Sequence, residues 1–155
     1  MIENWFDDIS REEAMSCRLR INHRFRYYHS TTSVHLENIE KYGLCKRSVS
    51  GTKTVYYGQL KPELAEDKIE DAIFVSLFPD VSWAGLVCKK WGGVQVYVYV
   101  TGRSIIEAGC EAYPDYAILQ PLDSRGRIIP SYVKDIMLIG CDCIKISGSE
   151  HFYKK

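Results

Sequence analysis

The sequence predicts an α+β domain in which strands outnumber helices, and three stretches carry that prediction. Val94, Val96, Val98 and Val100 alternate with Gln95, Tyr97, Tyr99 and Thr101, the period-two pattern of a strand with bulky residues on both faces. Residues 25–30 and 72–77 are short runs rich in aromatic and β-branched side chains, each followed by turn-forming or capping residues. The helical patterns between them are short. A length of 155 residues suits one hydrophobic core, so a single domain over 1–155 is expected, with 1–24 as an N-terminal helical extension.

Ser10-Arg11-Glu12-Glu13 has the form of a capping box, in which serine and glutamate satisfy orphan amides, and predicts a helix over 11–17. The aromatic strand over 25–30 ends in hydroxyl residues that cap the next element. A helix over 33–42 follows, with Leu36 and Ile39 on one face, Glu37 four residues before Lys41, and Gly43 as its stop. A polar loop with a short strand at 54–57 leads to Pro62, which opens an exposed helix to about residue 70. After the strand over 72–77, Pro79-Asp80 starts a helix to about residue 90 that buries Trp83, Leu86 and Val87, and Gly92-Gly93 ends it. The alternating run over 94–101 is read as a central strand. Three more strands are expected over 116–120, 134–140 and 143–147, with Pro114, Pro121 and Pro130 in the loops.

Lys plus Arg and Asp plus Glu are 20 each, so no global field draws the chain to nucleic acid or to an anionic membrane. The local cluster Arg18, Arg20, His23, Arg24 and Arg26 is either a solvated face or a phosphate contact. No apolar run approaches the roughly 20 residues that span a bilayer, and the first residues are acidic where a signal peptide is basic, so a soluble cytoplasmic protein is expected. Six cysteines in that setting are expected to be free thiols. Cys141-Asp142-Cys143 lacks the second ligand pair of a zinc site, and no metal is expected.

Three blocks, in order, carry a resemblance. The first is Tyr27-Tyr28-His29-Ser30-Thr31-Thr32 with Leu36, Ile39, Gly43 and Leu44. The second is Ile73-Phe74-Val75-Ser76-Leu77-Phe78-Pro79 with Trp83-Ala84 and the valine-rich strand. The third is Tyr113-Pro114-Asp115-Tyr116 running to Ile128-Ile129-Pro130-Ser131-Tyr132. Together they resemble the ADP-ribosyltransferase superfamily, whose first strand ends in a His before a helix closing in Gly-Leu. The resemblance covers about two thirds of the chain and rests on the order of the blocks. It departs from the pattern at Ser30, where many relatives have Gly, and at Asp115, where they have Glu.

The resemblance implies a split antiparallel β-sheet core with flanking short helices, and NAD as substrate. It implies transfer of ADP-ribose to a macromolecular acceptor, a protein or, through Arg18–Arg26, a nucleic acid, with release of nicotinamide. His29, Ser30 and Thr31 would hold the ribose and nicotinamide, Ser76 the pocket wall, and Phe78 or Trp83 would stack on the ring. Asp115, with His29, would be catalytic, and Glu111 is the fallback carboxylate. The plain alternatives are a structural His29, a core Trp83 and a turn residue Asp115. Other functions on the same fold are a non-catalytic nucleotide- or partner-binding protein and an NAD-dependent RNA 2′-phosphotransferase. A cleft-facing His29 contributes little to the core, so His29→Ala is expected to leave the fold intact.

Overall fold

The computed structural model describes residues 11–46, 72–115 and 122–150. In chain order they form α1 (Arg11–Ser16), β1 (Arg26–Thr32), a 3₁₀ turn (Ser33–His35), α2 (Leu36–Tyr42), β2 (Leu44–Cys45), β3 (Ala72–Ser76), α3 (Val81–Trp91), β4 (Gln95–Thr101) and α4 (Gly102–Glu107). They continue with β5 (Glu111–Pro114), a second 3₁₀ turn (Pro130–Tyr132), β6 (Asp135–Ile139), β7 (Cys143–Ile144) and β8 (Gly148–Glu150). The architecture is the mixed α+β class expected. Ser10 of the capping box and the elements read over 54–57, 62–70 and 116–120 lie outside the described residues.

Local chemistry accounts for the element ends. Gly43 stops α2 at φ 87°, and a Cβ there would sit 2.4 Å from the Ile144 carbonyl oxygen, so glycine alone lets the chain turn into β2. Asp80 caps α3, its carboxylate accepting from the Trp83 amide at 2.9 Å, and Gly92 at φ 83° ends that helix. The helix read over 33–42 opens as a 3₁₀ turn, in which the Thr32 hydroxyl oxygen accepts from the Val34 amide and tightens the first turn. The strand read over 143–147 divides, because Ile144 pairs with Leu44 in one sheet while the Ser147 amide bonds Tyr99 oxygen beside the other.

The main sheet has the order β5-β6-β3-β1-β4-β8, with every pair antiparallel, and β2 and β7 form a separate two-stranded sheet. Pairing is uneven. β1 and β4 share seven residue pairs and β3 and β6 share five, but β1 and β3 meet at the single pair Tyr28–Ser76. The sheet is therefore two leaves, β5-β6-β3 and β1-β4-β8, joined at one point. The strand over 95–101 is interior, paired on both sides, although β1 and β3 occupy the centre.

Side-chain alternation gives the sheet two unlike faces. Tyr27, Ile73, Val75, Val96, Val98, Val100, Ala112, Ile136 and Leu138 lie on one face and are nearly fully buried, forming the core with Ile105 of α4 and Ala14 of α1. Arg26, Tyr28, Ser30, Ser76, Asp135, Tyr99 and Glu150 lie on the other.

The structure corrects the expectation of six free thiols. Cys45 is bonded to Cys143 and Cys110 to Cys141, leaving Cys17 and Cys88 free. The partners are 98 and 31 residues apart in sequence, and the fold brings them together: Cys45 and Cys143 are direct cross-strand partners in β2–β7. Local spacing carries no trace of such pairs. Alkylation of the denatured, unreduced protein should therefore label Cys17 and Cys88 and spare the other four, and labelling of all six would refute both bonds. Closing loops of this length stabilises a fold by about 2–4 kcal/mol per bond, so urea midpoints should fall on reduction.

Candidate functional site

Where the two leaves meet, side chains replace the missing backbone ladder. The imidazole of His29 leaves β1 on the core face and turns into the gap, where Nδ1 lies 2.8 Å from the Phe74 carbonyl oxygen of β3. Burial pulls the His29 pKa down, the bond to Phe74 opposes this and His35 adds to it, so the ring is neutral near pH 7. A neutral ring that donates from Nδ1 presents Nε2 as an acceptor. The Ser76 hydroxyl donates to the Phe78 carbonyl at 2.7 Å and lies 3.5 Å from the Tyr28 carbonyl.

On the opposite face a polar row crosses the junction in register. Asp135 of β6 faces Ser76 of β3, Ser76 faces Tyr28 of β1, and Tyr28 faces Tyr99 of β4. The chain leaving β3 folds over this row: the Leu77 amide bonds Lys134 oxygen at 3.0 Å, and the Asp80 amide bonds the buried Ser30 hydroxyl at 2.8 Å. The N-terminus of α3 is thereby tied to β1, and Asp80 is brought beside Asp135. Burial pushes the Asp135 carboxyl up to about 6, Asp80 adds to the rise, and Lys134 opposes it. A carboxyl that titrates near neutrality can hold or release a proton under working conditions, which makes it the strongest acid–base candidate among the described residues.

The residues anticipated from sequence do not all gather at one place. Ser30 and Ser76 flank the junction on the polar face, with Asp80 and Asp135. Phe78 follows at the turn with 61% exposure, and Trp83 is half-buried in the first turn of α3. Thr31 lies on the core face and is 3% exposed, apart from the row. Asp115 is buried just past β5, its amide bonded to Asp135 oxygen at 3.0 Å, so the two aspartates are neighbours across the β5–β6 edge. Glu111 sits at the far end of β5 and accepts a short hydrogen bond from the Tyr113 hydroxyl. Sequence reasoning missed Asp135. Its signal is positional: the first residue of a strand, polar where the rest of the strand is apolar.

The basic cluster does not form one surface. Arg26 lies over the Tyr99 ring, 4.3 Å from its centroid, and pairs with Glu150 at 2.5 Å. Leu19 bridges Ala112 at the edge of β5, so Arg18 and Arg20 border an open groove of about 480 Å³ with Ile106 and Glu111. No group of three or more metal-ligating side chains occurs among the described residues, and none of their helices is long and apolar enough to cross a membrane.

Two consequences follow for stability. Asp135 titrates higher when folded than its usual 3.8, so it favours the fold while protonated, and that contribution is lost as pH rises through about 6. Asp135→Asn should therefore stabilise the protein at pH 7, on the order of 1–3 kcal/mol, and flatten its stability between pH 4 and 7; an unchanged profile would remove the shifted carboxyl. His29→Ala leaves the Phe74 carbonyl without its partner in the gap and should cost about 1–3 kcal/mol in urea unfolding. This replaces the expectation of an intact, unaffected fold, and a cost below about 0.5 kcal/mol would show that the bond does not hold the junction.

Family profiles, curated proteins and solved structures were compared with the chain, and none matches it.

Proposed function

We propose that the chain is an ADP-ribosyltransferase-like protein that takes up NAD at the junction of the two leaves and moves ADP-ribose to a macromolecular acceptor, releasing nicotinamide. The observation that carries the reading is the in-register row Asp135–Ser76–Tyr28 across a sheet whose leaves join at one residue pair. A split antiparallel core is what the resemblance implies, and this row supplies the carboxylate and hydroxyl groups that the reaction needs.

Breaking the bond between nicotinamide and the ribose anomeric carbon passes through a cation resembling an oxocarbenium ion. Ionised Asp135 would stabilise that charge, and its pKa of about 6 suits it to take the proton of an acceptor hydroxyl or amide as the new bond forms. Asp115, bonded through its amide to Asp135, is the second carboxylate of the site. Ser30 and Ser76 would line the pocket, and Phe78 and Trp83 offer ring faces to nicotinamide, while His29, which leaves β1 on the core face and bonds the Phe74 carbonyl, holds the seam behind them. Thr31, on the core face, supports β1 instead of touching ligand. The acceptor is a protein or a nucleic acid, the latter reached through Arg18 and Arg20 along the β5 edge.

Nicotinamide release from NAD, measured with and without cell extract as acceptor source, tests the reading. Asp135→Asn should lose at least about a hundredfold in turnover, on the order of 2.7 kcal/mol of transition-state stabilisation, with NAD affinity little changed. Asp115→Asn should lose less, and Glu111→Gln should behave as the native protein. Undiminished release by Asp135→Asn would overturn the assignment. NAD binding without release would favour the non-catalytic reading on the same fold.

A further inference from the structure

We propose that the turns closing one end of the main sheet form a peripheral membrane-binding tip, in which Val34, Trp91 and Val94 enter an anionic lipid surface and Lys89 and Lys90 meet its headgroups. The inference does not depend on what the junction of the leaves binds. Two turns meet at this end: residues 33–35 follow β1, and residues 91–94 join α3 to β4. Their backbones are laced together. The Ser33 amide bonds Val94 oxygen at 2.8 Å, the Val94 amide bonds the Ser33 hydroxyl at 2.9 Å, and the Thr32 hydroxyl donates to the Gly92 carbonyl. A Cβ on Gly93 would lie 2.9 Å from a Val34 methyl, so glycine lets the two turns close on each other.

This tip carries apolar surface that the fold leaves uncovered. Val34 is 52% exposed, Trp91 37% and Val94 62%. Single exposed apolar residues are ordinary on a protein surface, but three on two interlocked turns form one patch. The Trp91 ring is held in place: His35 meets it edge-on with 5.3 Å between ring centroids, and Lys90 Nζ lies 5.5 Å from its centre. Burial lowers the His35 pKa, and its Nε2 is buried without a hydrogen-bond partner, so a neutral imidazole backs the tryptophan.

Charge selects the occupant. Segments 33–38 and 88–95 hold Lys89 and Lys90 against one acid, Glu37, and among the described residues neither lysine has an ion pair. The charge of the whole chain is balanced, so attraction to an anionic surface falls to a local excess of this kind. Tryptophan, aliphatic side chains and lysines are the residues that divide between the acyl boundary and the headgroups at a membrane interface. A protein partner fits less well. The turns end the sheet, a Cβ on Gly92 would meet nothing within 4 Å, and three side chains supply far less than the roughly 800 Å² per partner of a stable interface.

Co-sedimentation of the full chain with vesicles tests it. At about 50 mM salt the protein should pellet with phosphatidylcholine vesicles carrying roughly 30% phosphatidylserine and stay in solution with pure phosphatidylcholine, and about 0.5 M salt should release it. Val34→Asp with Val94→Asp, and separately Lys89→Glu with Lys90→Glu, should each weaken vesicle binding by about tenfold or more. All four side chains are exposed, and an unchanged urea midpoint will show that the fold is kept. Brominated acyl chains should quench the tryptophan fluorescence of the native protein, and Trp91→Phe should remove that quenching; if a paired variant does not fold, this comparison decides. Absence of pelleting with phosphatidylserine, equal pelleting by the native protein and the Asp variant, or quenching that survives Trp91→Phe would overturn the proposal. So would a concentration-dependent dimer that the Asp variant abolishes, because a second copy would then cover the patch.

Discussion

One residue pair, Tyr28 with Ser76, carries the backbone contact between the two halves of the main sheet. The long ladders β1–β4 and β3–β6 pair the amides and carbonyls within each half, and at this seam side chains take over. His29 reaches the Phe74 carbonyl from one strand, and Ser30 reaches the Asp80 amide from the same strand. Both depend on β1 running in register with β4, since a one-residue slip would carry His29 to the polar face and Ser30 into the core. The seam is also where polar groups accumulate.

The polar row sets stability against chemistry. Asp135 begins a strand that is otherwise apolar, and it sits where burial and Asp80 both disfavour its charge. A neutral amide would suit that position better. The fold tolerates the aspartate because the sheet beneath it is well supplied: Val96, Val98, Val100, Ile105 and Leu138 are fully buried on the core face. Disulfides add restraint at the far end of β6, around Cys141-Asp142-Cys143, away from the carboxylate at its start. Rigid anchoring at one end and strained electrostatics at the other is a common arrangement for a site.

Much of this was legible in residue order. The Val94–Thr101 alternation, the Asp80 cap, and the glycine stops at Gly43 and Gly92 are local signals, and the corresponding elements formed within a residue or two of their expected places. What depends on long-range pairing was not legible. Two cysteines 98 residues apart give no local sign of meeting, and free thiols were expected where the fold makes bonds. Asp135 escaped for the same reason, because its significance lies in facing Ser76 across β3–β6. The local pattern marks His29, but its bond to Phe74, a residue 45 positions later, makes it part of the seam. Asp115 precedes the strand read over 116–120, and its amide bonds the backbone of Asp135 across the β5–β6 edge.

The Asp135 carboxyl at the seam is the centre of the proposed site, and carbon-13 NMR of aspartate carboxyls reads it directly. Titrating the native protein, with Asp135→Asn to assign the resonance, should give an apparent pKa near 6 that moves on addition of NAD. A resonance that titrates near the ordinary 3.8 and ignores NAD would contradict both the electrostatics of the row and the site built on it.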